Sequence, residues 1–254
     1  MSDDARHVRR IVVPYHHAEP LPKLADAFFA DDAVVVSKGP AGAMLARLYD
    51  QVAARVAASG VPVVVASGDC TTSLAIVAGL QRRLISPGVI WLDAHGDFHT
   101  PHTTRSGYFG GMALAMLVGR TGGSLAGAIG LHAVAEDACM LVGARDIDPA
   151  ERDALDASAV HCVGNVASLA DAALPPSPWY VHLDLDVIDP SELPPLRFPA
   201  PAGPSANAAG AALRALAARG TIAALGLACT LAPKAFERPD ALAKVAPLID
   251  AALG

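Results

Sequence analysis

The feature that most constrains the fold is a regular alternation of short, β-branched apolar runs with longer Ala/Leu-rich stretches of helical periodicity. This alternation is typical of βα units, in which each strand of a parallel sheet is followed by a helix. The predicted strands are Ile11–Pro14, Ala33–Val36, Pro62–Ala66, Val89–Leu92, Met140–Val142, Val160–Val163, Tyr180–Leu185 and Ile222–Gly226. The predicted helices are Ala41–Ala58, Thr72–Arg83, Gly111–Val118, Pro149–Leu155, Ser205–Ala218 and Pro239–Ala252. The pattern predicts a three-layer α/β fold, with a central, mostly parallel sheet flanked by helices.

The composition argues against a membrane protein and against a protein that binds nucleic acid. Hydrophobic residues make up 53% of the 254 residues, which fits a sheet that is buried on both faces. No uninterrupted apolar stretch approaches the roughly 18 residues of a membrane span, and the charged segment Met1–Arg10 contains no signal-peptide core. We therefore expect a cytoplasmic protein whose residues 1–254 form one domain. A net charge of -6 offers no basic surface for nucleic acid or anionic membrane, so the expected partner is a small-molecule substrate.

Three polar segments lie directly after, or at the end of, predicted buried strands. They are Ser67–Cys70, Asp93–Asp97 and Asp184–Pro190. Ligands of open parallel sheets bind beyond the carboxyl ends of the strands, so we expect these segments to converge there. Buried carboxylates are costly unless a cation compensates them, which indicates one or two divalent metal ions. Asp189, which precedes a proline, is assigned to turn geometry, and Asp69 to local hydrogen bonding behind the site.

The spacing of the acidic residues supports a metal site. Asp184 and Asp186 are two residues apart on a strand, so both side chains point to the same face. Asp93, His95 and Asp97 have the same spacing, which allows an extended segment to direct all three side chains to one point. Carboxylate oxygens together with one imidazole suit a hard or borderline ion such as Mn²⁺. These five residues are therefore predicted metal ligands.

The same segments resemble the signature motifs of the arginase/agmatinase (ureohydrolase) superfamily. Asp93–Asp97 matches the DAHxD motif, Asp184–Pro190 matches DxDxxDP, and Ser67–Cys70 matches GGDH imperfectly. The resemblance extends from about Val61 to Pro233, which is most of the chain. It implies an arginase-like fold, assembly as a homo-oligomer and hydrolysis of a linear C–N bond.

The resemblance also implies roles for the acidic residues. Asp93, Asp97 and Asp184 would surround the first of two Mn²⁺ ions, and Asp93, His95, Asp184 and Asp186 would hold the second. In the family, a hydroxide that bridges the two ions attacks the guanidinium carbon, and urea departs. Asp97 would orient that hydroxide and is the predicted catalytic residue.

Substrate-binding positions carry over in part. Ser106 matches a residue that holds the substrate α-carboxylate, and Asp148 and Glu151 match carboxylates that reach the α-ammonium group. His99 stands where family arginases have Asn. The resemblance therefore implies a substrate with an intact α-amino-acid end. A second interpretation of Asp148 is that it only caps the helix that begins at Pro149.

Three departures affect the other end of the substrate. Cys70 replaces a metal-binding His; it either binds the first metal as a soft thiolate or packs as a small buried residue, and both alternatives weaken that site for Mn²⁺. Gly110 stands in the place of a proton-shuttling His. Thr230 falls where arginases carry the Glu that pairs with the guanidinium, so a charge-assisted contact is lost.

These observations lead to one expected function and two alternatives. The expected function is hydrolysis of a guanidino or amidino compound, an arginine-like amino acid such as N-hydroxyarginine or arginine, with release of urea or a substituted urea. A less basic, substituted guanidine suits the loss of the Glu at position 230. The first alternative is an amide hydrolase with one catalytic metal, like the superfamily's deacetylases. The second is a metal-binding protein without catalysis.

Overall fold

In the computed structural model of the protein, residues 8–27, 30–193, 195–232, 235 and 246–253 are described. The strands are β1 (Arg9–Val13), β2 (Tyr15–His16), β3 (Glu19–Pro20), β4 (Asp32–Ala33), β5 (Val63–Ser67), β6 (Gly88–Leu92), β7 (Cys139–Val142), β8 (His161–Val163), β9 (Trp179–Asp184) and β10 (Ile222–Ala228). The α-helices are α1 (Pro22–Ala27), α2 (Ala41–Ala57), α3 (Thr72–Arg82), α4 (Ala113–Leu117), α5 (Ser124–Ala128), α6 (Pro149–Asp156), α7 (Ala206–Arg219) and α8 (Ala246–Leu253).

Eight of the strands form one sheet in the order β4-β1-β5-β10-β9-β6-β7-β8. Every pairing within this sheet is parallel. The remaining two, β2 and β3, form a short antiparallel hairpin. The predicted α/β class with a mostly parallel central sheet is confirmed.

The sheet is buried on both faces. Along β6, Val89 and Trp91 pack into one apolar cluster, whereas Ile90 and Leu92 pack into a second. The first cluster includes buried side chains of α2, α3 and α4, and the second includes those of α7 and α8. Successive side chains of a strand point to opposite faces, so two-sided burial requires the unbroken apolar runs seen in the sequence. The result is the predicted three-layer arrangement.

Each of the eight predicted strands coincides with a strand of the main sheet. The largest difference is at β4, where only Asp32–Ala33 pairs although the prediction was Ala33–Val36. The sequence did not predict the short helices α1 and α5 or the β2–β3 hairpin. The start of the helix predicted from Pro239 lies outside the described residues. Within the described ranges, every helix is too short or too polar to cross a bilayer.

The strand order determines where the site lies. The five neighbouring strands β5, β10, β9, β6 and β7 are parallel, so their carboxyl ends meet at one edge of the sheet. The segments that follow these strands carry Cys70, Thr230, Asp186, Asp93 and Asp148 respectively. Residues far apart in sequence are therefore brought to one crevice.

Candidate metal centre

A cavity of about 400 Å³ opens at this edge of the sheet. Its walls contain the predicted site residues together with several side chains that the sequence did not single out. The lining residues are Cys70, Asp93, His95, Asp97, His99, Thr104, Ser106, Tyr108, Gly111, Asp146, Asp148, Glu151, Asp184, Asp186, Phe198 and Thr230. All ten predicted site residues thus lie around one cavity.

One side of the centre consists of Asp93, His95 and Asp186, which we call the His95 half. Their ligand atoms lie within 4.8 Å of one another. His95 Nδ1 is 3.0 Å from Asp186 Oδ2 and 3.5 Å from Asp93 Oδ1. Burial alone lowers the pKa of His95, but the hydrogen bonds to Asp186 and Asp93 outweigh it and raise the pKa to about 12. These carboxylates thus attract a positive charge, which an imidazolium or a metal ion can supply.

The other side consists of Cys70, Asp93, His182 and Asp184, which we call the Cys70 half. All four residues are buried, and their ligand atoms also lie within 4.8 Å of one another. Cys70 Sγ donates a hydrogen bond to Asp184 Oδ2 over 2.9 Å. Thr230 Oγ1 donates to the other oxygen, Asp184 Oδ1, over 2.8 Å. Asp184 is therefore held from both sides by neutral donors rather than by a cation.

Burial dominates the electrostatics of the Cys70 half. It raises the pKa of Asp184 well above the usual range, and the neighbouring charge of Asp186 raises it further. It also raises the pKa of the Cys70 thiol and lowers that of His182 to about 4. Trp91 completes the wall: its Nε1 donates to Asp93 Oδ2 over 3.0 Å, and its ring stacks on His182 with a centroid distance of 3.7 Å.

Asp97 lies in a tight turn between the metal centre and α6. Its φ of 49° is in the left-handed region, which Asp tolerates better than most residues. A Cβ at Gly96 would lie 2.6 Å from Cδ of Glu151, so the close approach to this side chain requires glycine. Asp97 Oδ2 is buried without a hydrogen-bond partner among the described residues. Burial, followed by the charge of Asp93, raises the pKa of Asp97 well above its ordinary value.

These observations fit a divalent metal ion. Buried polar atoms in native proteins almost always have partners, yet Asp97 Oδ2 and His182 Nε2 have none in the described part of the chain. Both belong to residues at a crowded group of buried carboxylates, where a cation satisfies orphaned acceptors and relieves charge repulsion. The donors are oxygen, nitrogen and sulfur atoms of the kinds that bind first-row divalent ions.

The predicted substrate-binding residues lie on the wall formed by α6 and the loop after β6. His99 Nε2 is 3.3 Å from Asp148 Oδ2 and 4.0 Å from Glu151 Oε2. Asp148 Oδ1 meanwhile accepts a hydrogen bond from the amide of Ala150 and caps α6. Capping and a contact across the cavity are therefore compatible, because they use different oxygens. Glu151 is largely occupied in positioning the loop, since its Oε1 accepts from the amide of Phe98 over 2.8 Å.

Ser106 lies at the exposed rim, where its Oγ accepts a hydrogen bond from the amide of Tyr108 over 3.1 Å. Tyr108, which the sequence did not indicate, turns into the cavity. Its hydroxyl is buried and has no partner among the described residues. Burial raises the pKa of Tyr108, and the nearby Cys70 raises it further. A Cβ at Gly110 would lie 2.6 Å from this hydroxyl, so the phenol occupies the space that a side chain at Gly110 would need.

Two further residues were missed, and only one of them left a signal in the sequence. His182 precedes Asp184 by two positions on β9 and therefore shares its face, a spacing that would have identified it. Phe198 lies in an irregular segment and contacts Tyr108 with a ring-centroid distance of 4.7 Å. Among the described residues, its side chain is one of three large apolar ones that are exposed. No periodicity marks such a position.

Asp69 and Asp189 lie in the environments that the sequence predicted. Asp69 accepts hydrogen bonds from the backbone amides of His17 and Thr71, over 2.6 and 2.9 Å, behind the site. Asp189 closes a turn by accepting from the amide of Ser191 over 3.0 Å. Neither belongs to the two groups of potential metal ligands found among the described residues.

Comparison with known proteins gives the centre a context. The chain is 33% identical over 225 residues to an arginase from Brucella melitensis, an alignment that covers 80% of this chain and 71% of that protein. It is 34% identical over 135 residues to an N(omega)-hydroxy-L-arginine amidinohydrolase from Streptomyces lavendulae, covering 52% of this chain and 47% of that protein. This second match therefore spans about half of the relative's length.

Solved structures show the same fold. The arginase from Bacillus caldovelox superposes with a TM-score of 0.82 at 20% sequence identity, covering 98% of each chain. Residues 6–243 match the sequence profile of the Arginase family, which is most of the 254 residues. The chain belongs to the arginase family.

Proposed function

We propose that the protein is a metal-dependent hydrolase that cleaves a linear C–N bond in a guanidino amino acid. The observation that carries the proposal is the shared cavity: a crowded group of buried carboxylates forms one wall, and His99, Asp148 and Glu151 form another. The family membership and the relatives that are arginases or act on N-hydroxyarginine support it. Asp93, His95, Asp97, Asp184, Asp186 and Cys70 are the proposed metal ligands.

The protein's own residues supply binding and proton transfer. A divalent cation held here lowers the pKa of water, so that a nucleophile is available at neutral pH. Asp97 directs an unpartnered, buried oxygen into the site, which suits it to accept a hydrogen bond from the attacking water and to orient it. The buried hydroxyl of Tyr108 is placed to donate a proton or a hydrogen bond to the group that develops charge.

The two ends of the cavity favour an arginine-like substrate with a modified guanidine. Ser106 is the proposed contact of the substrate α-carboxylate, and Asp148 is the proposed contact of the α-ammonium group. At the metal end, Thr230 donates its hydroxyl to Asp184 and offers no charge to a guanidinium cation. An N-hydroxylated guanidine is less basic and needs that charge less, so N-hydroxyarginine is the preferred candidate and arginine the next.

A release assay tests the proposal. The purified protein, loaded with Mn²⁺ and separately with Zn²⁺, is incubated with N-hydroxyarginine, arginine, agmatine and 4-guanidinobutyrate, and urea and hydroxyurea are measured. We expect the amino-acid substrates to react and the truncated ones to lose at least about tenfold in kcat/KM, because each lacks one charged contact. If no guanidino compound reacts while metal is bound, the proposal is wrong. Equal rates on agmatine would remove the role of Ser106.

Amide hydrolysis is a second candidate, and Tyr108 is the observation that favours it. A buried hydroxyl that lies beside a metal centre can stabilise the oxyanion of a tetrahedral intermediate at an amide carbonyl. Acetylated lysine and acetylated polyamines would test this candidate in the same preparation. Release of acetate with no release of urea would favour it over guanidine hydrolysis. Metal binding without any turnover would indicate a non-catalytic member of the family.

Four further properties are part of the proposal. Mn²⁺ is the proposed ion of the His95 half, because that half offers only carboxylate oxygens and one imidazole. Assembly as a homo-oligomer, a cytoplasmic location and the organisation of residues 1–254 as one domain remain predictions. Metal analysis, analytical ultracentrifugation and limited proteolysis test the first, second and last of these.

A further inference from the structure

His182 is the buried side chain at the centre that the proposed mechanism does not use. It is 1% exposed and points its Nε2 towards Asp93, whose Oδ2 is 4.0 Å away. This Nε2 atom has no hydrogen-bond partner among the described residues. Together with Cys70, Asp93 and Asp184, it forms a group whose ligand atoms all lie within 4.8 Å of one another. Four ligands around a tetrahedral ion at bond lengths of roughly 2.0–2.3 Å lie about 3.3–3.8 Å apart, so the widest separations in this group must close by about 1 Å around one ion.

The opposite side of the imidazole ring is already fixed. Ser73 Oγ lies 3.0 Å from His182 Nδ1, and the hydroxyl of Tyr180 donates to the same Oγ over 2.6 Å. The hydroxyl of Tyr180 also lies 3.2 Å from Nδ1. If Nδ1 accepted a hydrogen bond from either hydroxyl, the proton on Nε2 would be a buried donor without an acceptor at hydrogen-bond distance among the described residues. If Nδ1–H donates to Ser73 instead, the lone pair of Nε2 faces Cys70, Asp93 and Asp184. A histidine that donates from one nitrogen to a fixed oxygen and presents the other to a cation is the usual arrangement of a metal ligand.

From this geometry we propose that His182 is a ligand of the first metal ion and that the Cys70 half is a Cys–His–Asp–Asp site selective for Zn²⁺ or a similar borderline ion. The inference rests on the proposed function only in taking this cavity to be a metal centre. His182 supplies the imidazole that a cysteine at position 70 cannot. When the ion binds, the Cys70 thiol loses the proton that it now donates in a hydrogen bond to Asp184, and this proton is released to solvent.

The donor atoms decide which ion is preferred. One thiolate, one imidazole and two carboxylates are four donors of the kinds that bind Zn²⁺, whereas the set Asp93, His95 and Asp186 contains no sulfur. The two halves are therefore built for different metals. A centre loaded with Mn²⁺ alone would have a poorly filled Cys70 half, and one supplied with both ions would be mixed.

Cobalt is the probe, because Co²⁺ replaces Zn²⁺ and reports its ligands by colour. Metal-free protein is titrated with Co²⁺, and the thiolate-to-cobalt absorption and the visible bands are recorded. The variants are His182→Gln, Cys70→Ser and, as a matched control, His161→Gln, which changes an exposed strand histidine on β8. Zn²⁺ affinity is measured on the same preparations by competition with a chromophoric chelator.

We expect wild type and His161→Gln to show the thiolate band and strong visible bands, and Cys70→Ser to lose the thiolate band. His182→Gln should shift and weaken the visible bands and bind Zn²⁺ at least 100-fold less tightly, which is the upper end of what the loss of an outer-shell partner costs. If His182 only positions another ligand, His182→Gln should lose less Zn²⁺ affinity and keep the cobalt spectrum of the wild type. That result would overturn the proposal.

A second measurement uses only the wild-type protein, so its result does not depend on whether a variant folds. In crystals of the zinc-loaded wild-type protein, Nε2 of His182 should lie about 2.1 Å from the ion. An ion bound by Cys70 and Asp184 with Nε2 beyond 3 Å would overturn the proposal. Both measurements are made without substrate, so they stand apart from turnover: zinc ligation by His182 can hold even if no guanidino compound is hydrolysed.

Discussion

The two halves of the centre share Asp93 but differ in nearly every other physical respect. In the His95 half, His95 is 25% exposed and faces two carboxylates that hold its pKa at about 12. In the Cys70 half, Cys70 and His182 are 5% and 1% exposed, and neutral hydrogen-bond donors hold Asp184. In the first half, a protonated His95 or a metal ion can compensate the carboxylates, whereas the described side chains of the second half offer no such cation.

This difference shows where the chain departs from its family pattern. The residues that the family motifs would predict are all present in the His95 half. The departures at Cys70 and Thr230 both contact Asp184, and Gly110 lies beside the phenol that covers the same region. The changes are therefore concentrated around one carboxylate. We expect perturbations there to alter metal choice and substrate preference, and perturbations of the shared residue to abolish activity.

Loss of the shared ligand should have the largest effect. Asp93→Asn removes a carboxylate that lies in both groups of potential metal ligands, so both halves should lose affinity for metal. We expect kcat/KM to fall on the order of 10³-fold, which corresponds to about 4 kcal/mol of transition-state stabilisation. The control is Asp153→Asn, which changes an exposed carboxylate on α6 that is not part of the cavity lining. Metal analysis of Asp93→Asn that finds either half still fully occupied would show that the halves do not share this ligand.

Thr230→Glu should fail to restore an arginase-like site. Thr230 is buried, and its hydroxyl donates to Asp184, so a carboxylate there meets a second carboxylate in place of a donor. We expect the metal-free variant to lose about 3 kcal/mol of unfolding free energy, and Thr230→Val to lose only about 1 kcal/mol for one hydrogen bond. Urea denaturation measures both values. A stable Thr230→Glu variant with increased turnover of arginine would contradict the expected repulsion between the new carboxylate and Asp184.

Gly110→Ala should cost less and should act through Tyr108. The new Cβ would lie 2.6 Å from the Tyr108 hydroxyl, so the ring must move. We expect a loss of about 1–2 kcal/mol in unfolding free energy together with a higher KM, because the displaced ring lines the cavity. Gly111→Ala is the matched control, since its nearest neighbour would be 3.9 Å away. If Tyr108→Ala in the Gly110→Ala background does not recover stability, the clash is not the cause.

Cys70→His should change the metal more than the fold. An imidazole suits Mn²⁺ better than a thiolate does, so the Cys70 half should bind Mn²⁺ about tenfold more tightly, or about 1.4 kcal/mol. Manganese per chain after matched reconstitution should rise towards about two ions. Turnover of arginine should rise less, because Gly110 and Thr230 are unchanged. Full occupancy in both proteins would show that Cys70 does not limit the site.

The sequence predicted the sheet well because burial on both faces leaves a strong local pattern. An unbroken apolar run such as the one in β6 is visible without any knowledge of its neighbours. The short β4 and the β2–β3 hairpin left no such pattern, because two paired residues carry no period. The acidic residues were equally visible, since a buried strand followed by DxHxD or DxD is itself a local signal.

Contacts across strands were harder to predict. That Thr230 donates to Asp184 follows from β10 lying next to β9, and the sequence does not give strand order. Tyr108 lines the cavity with its ring against Gly110, a placement that no periodicity of the sequence reveals. His182 lies two residues before Asp184, so the spacing argument could have identified it, but the sequence pattern places it in an apolar strand. Its role depends on the lost imidazole at position 70, which is a spatial relationship.

The fluorescence of Trp91 should report metal binding at the centre. Its N–H is bonded to the carboxylate shared by both halves, and its ring lies against the imidazole of His182, so filling either half alters its surroundings. The other tryptophan, Trp179, is the first residue of the central strand β9, at the end away from the cavity, and donates to the carbonyl of Pro175. It can therefore serve as an internal reference. Ultraviolet emission can therefore follow loading in real time, without a dye and without a substrate.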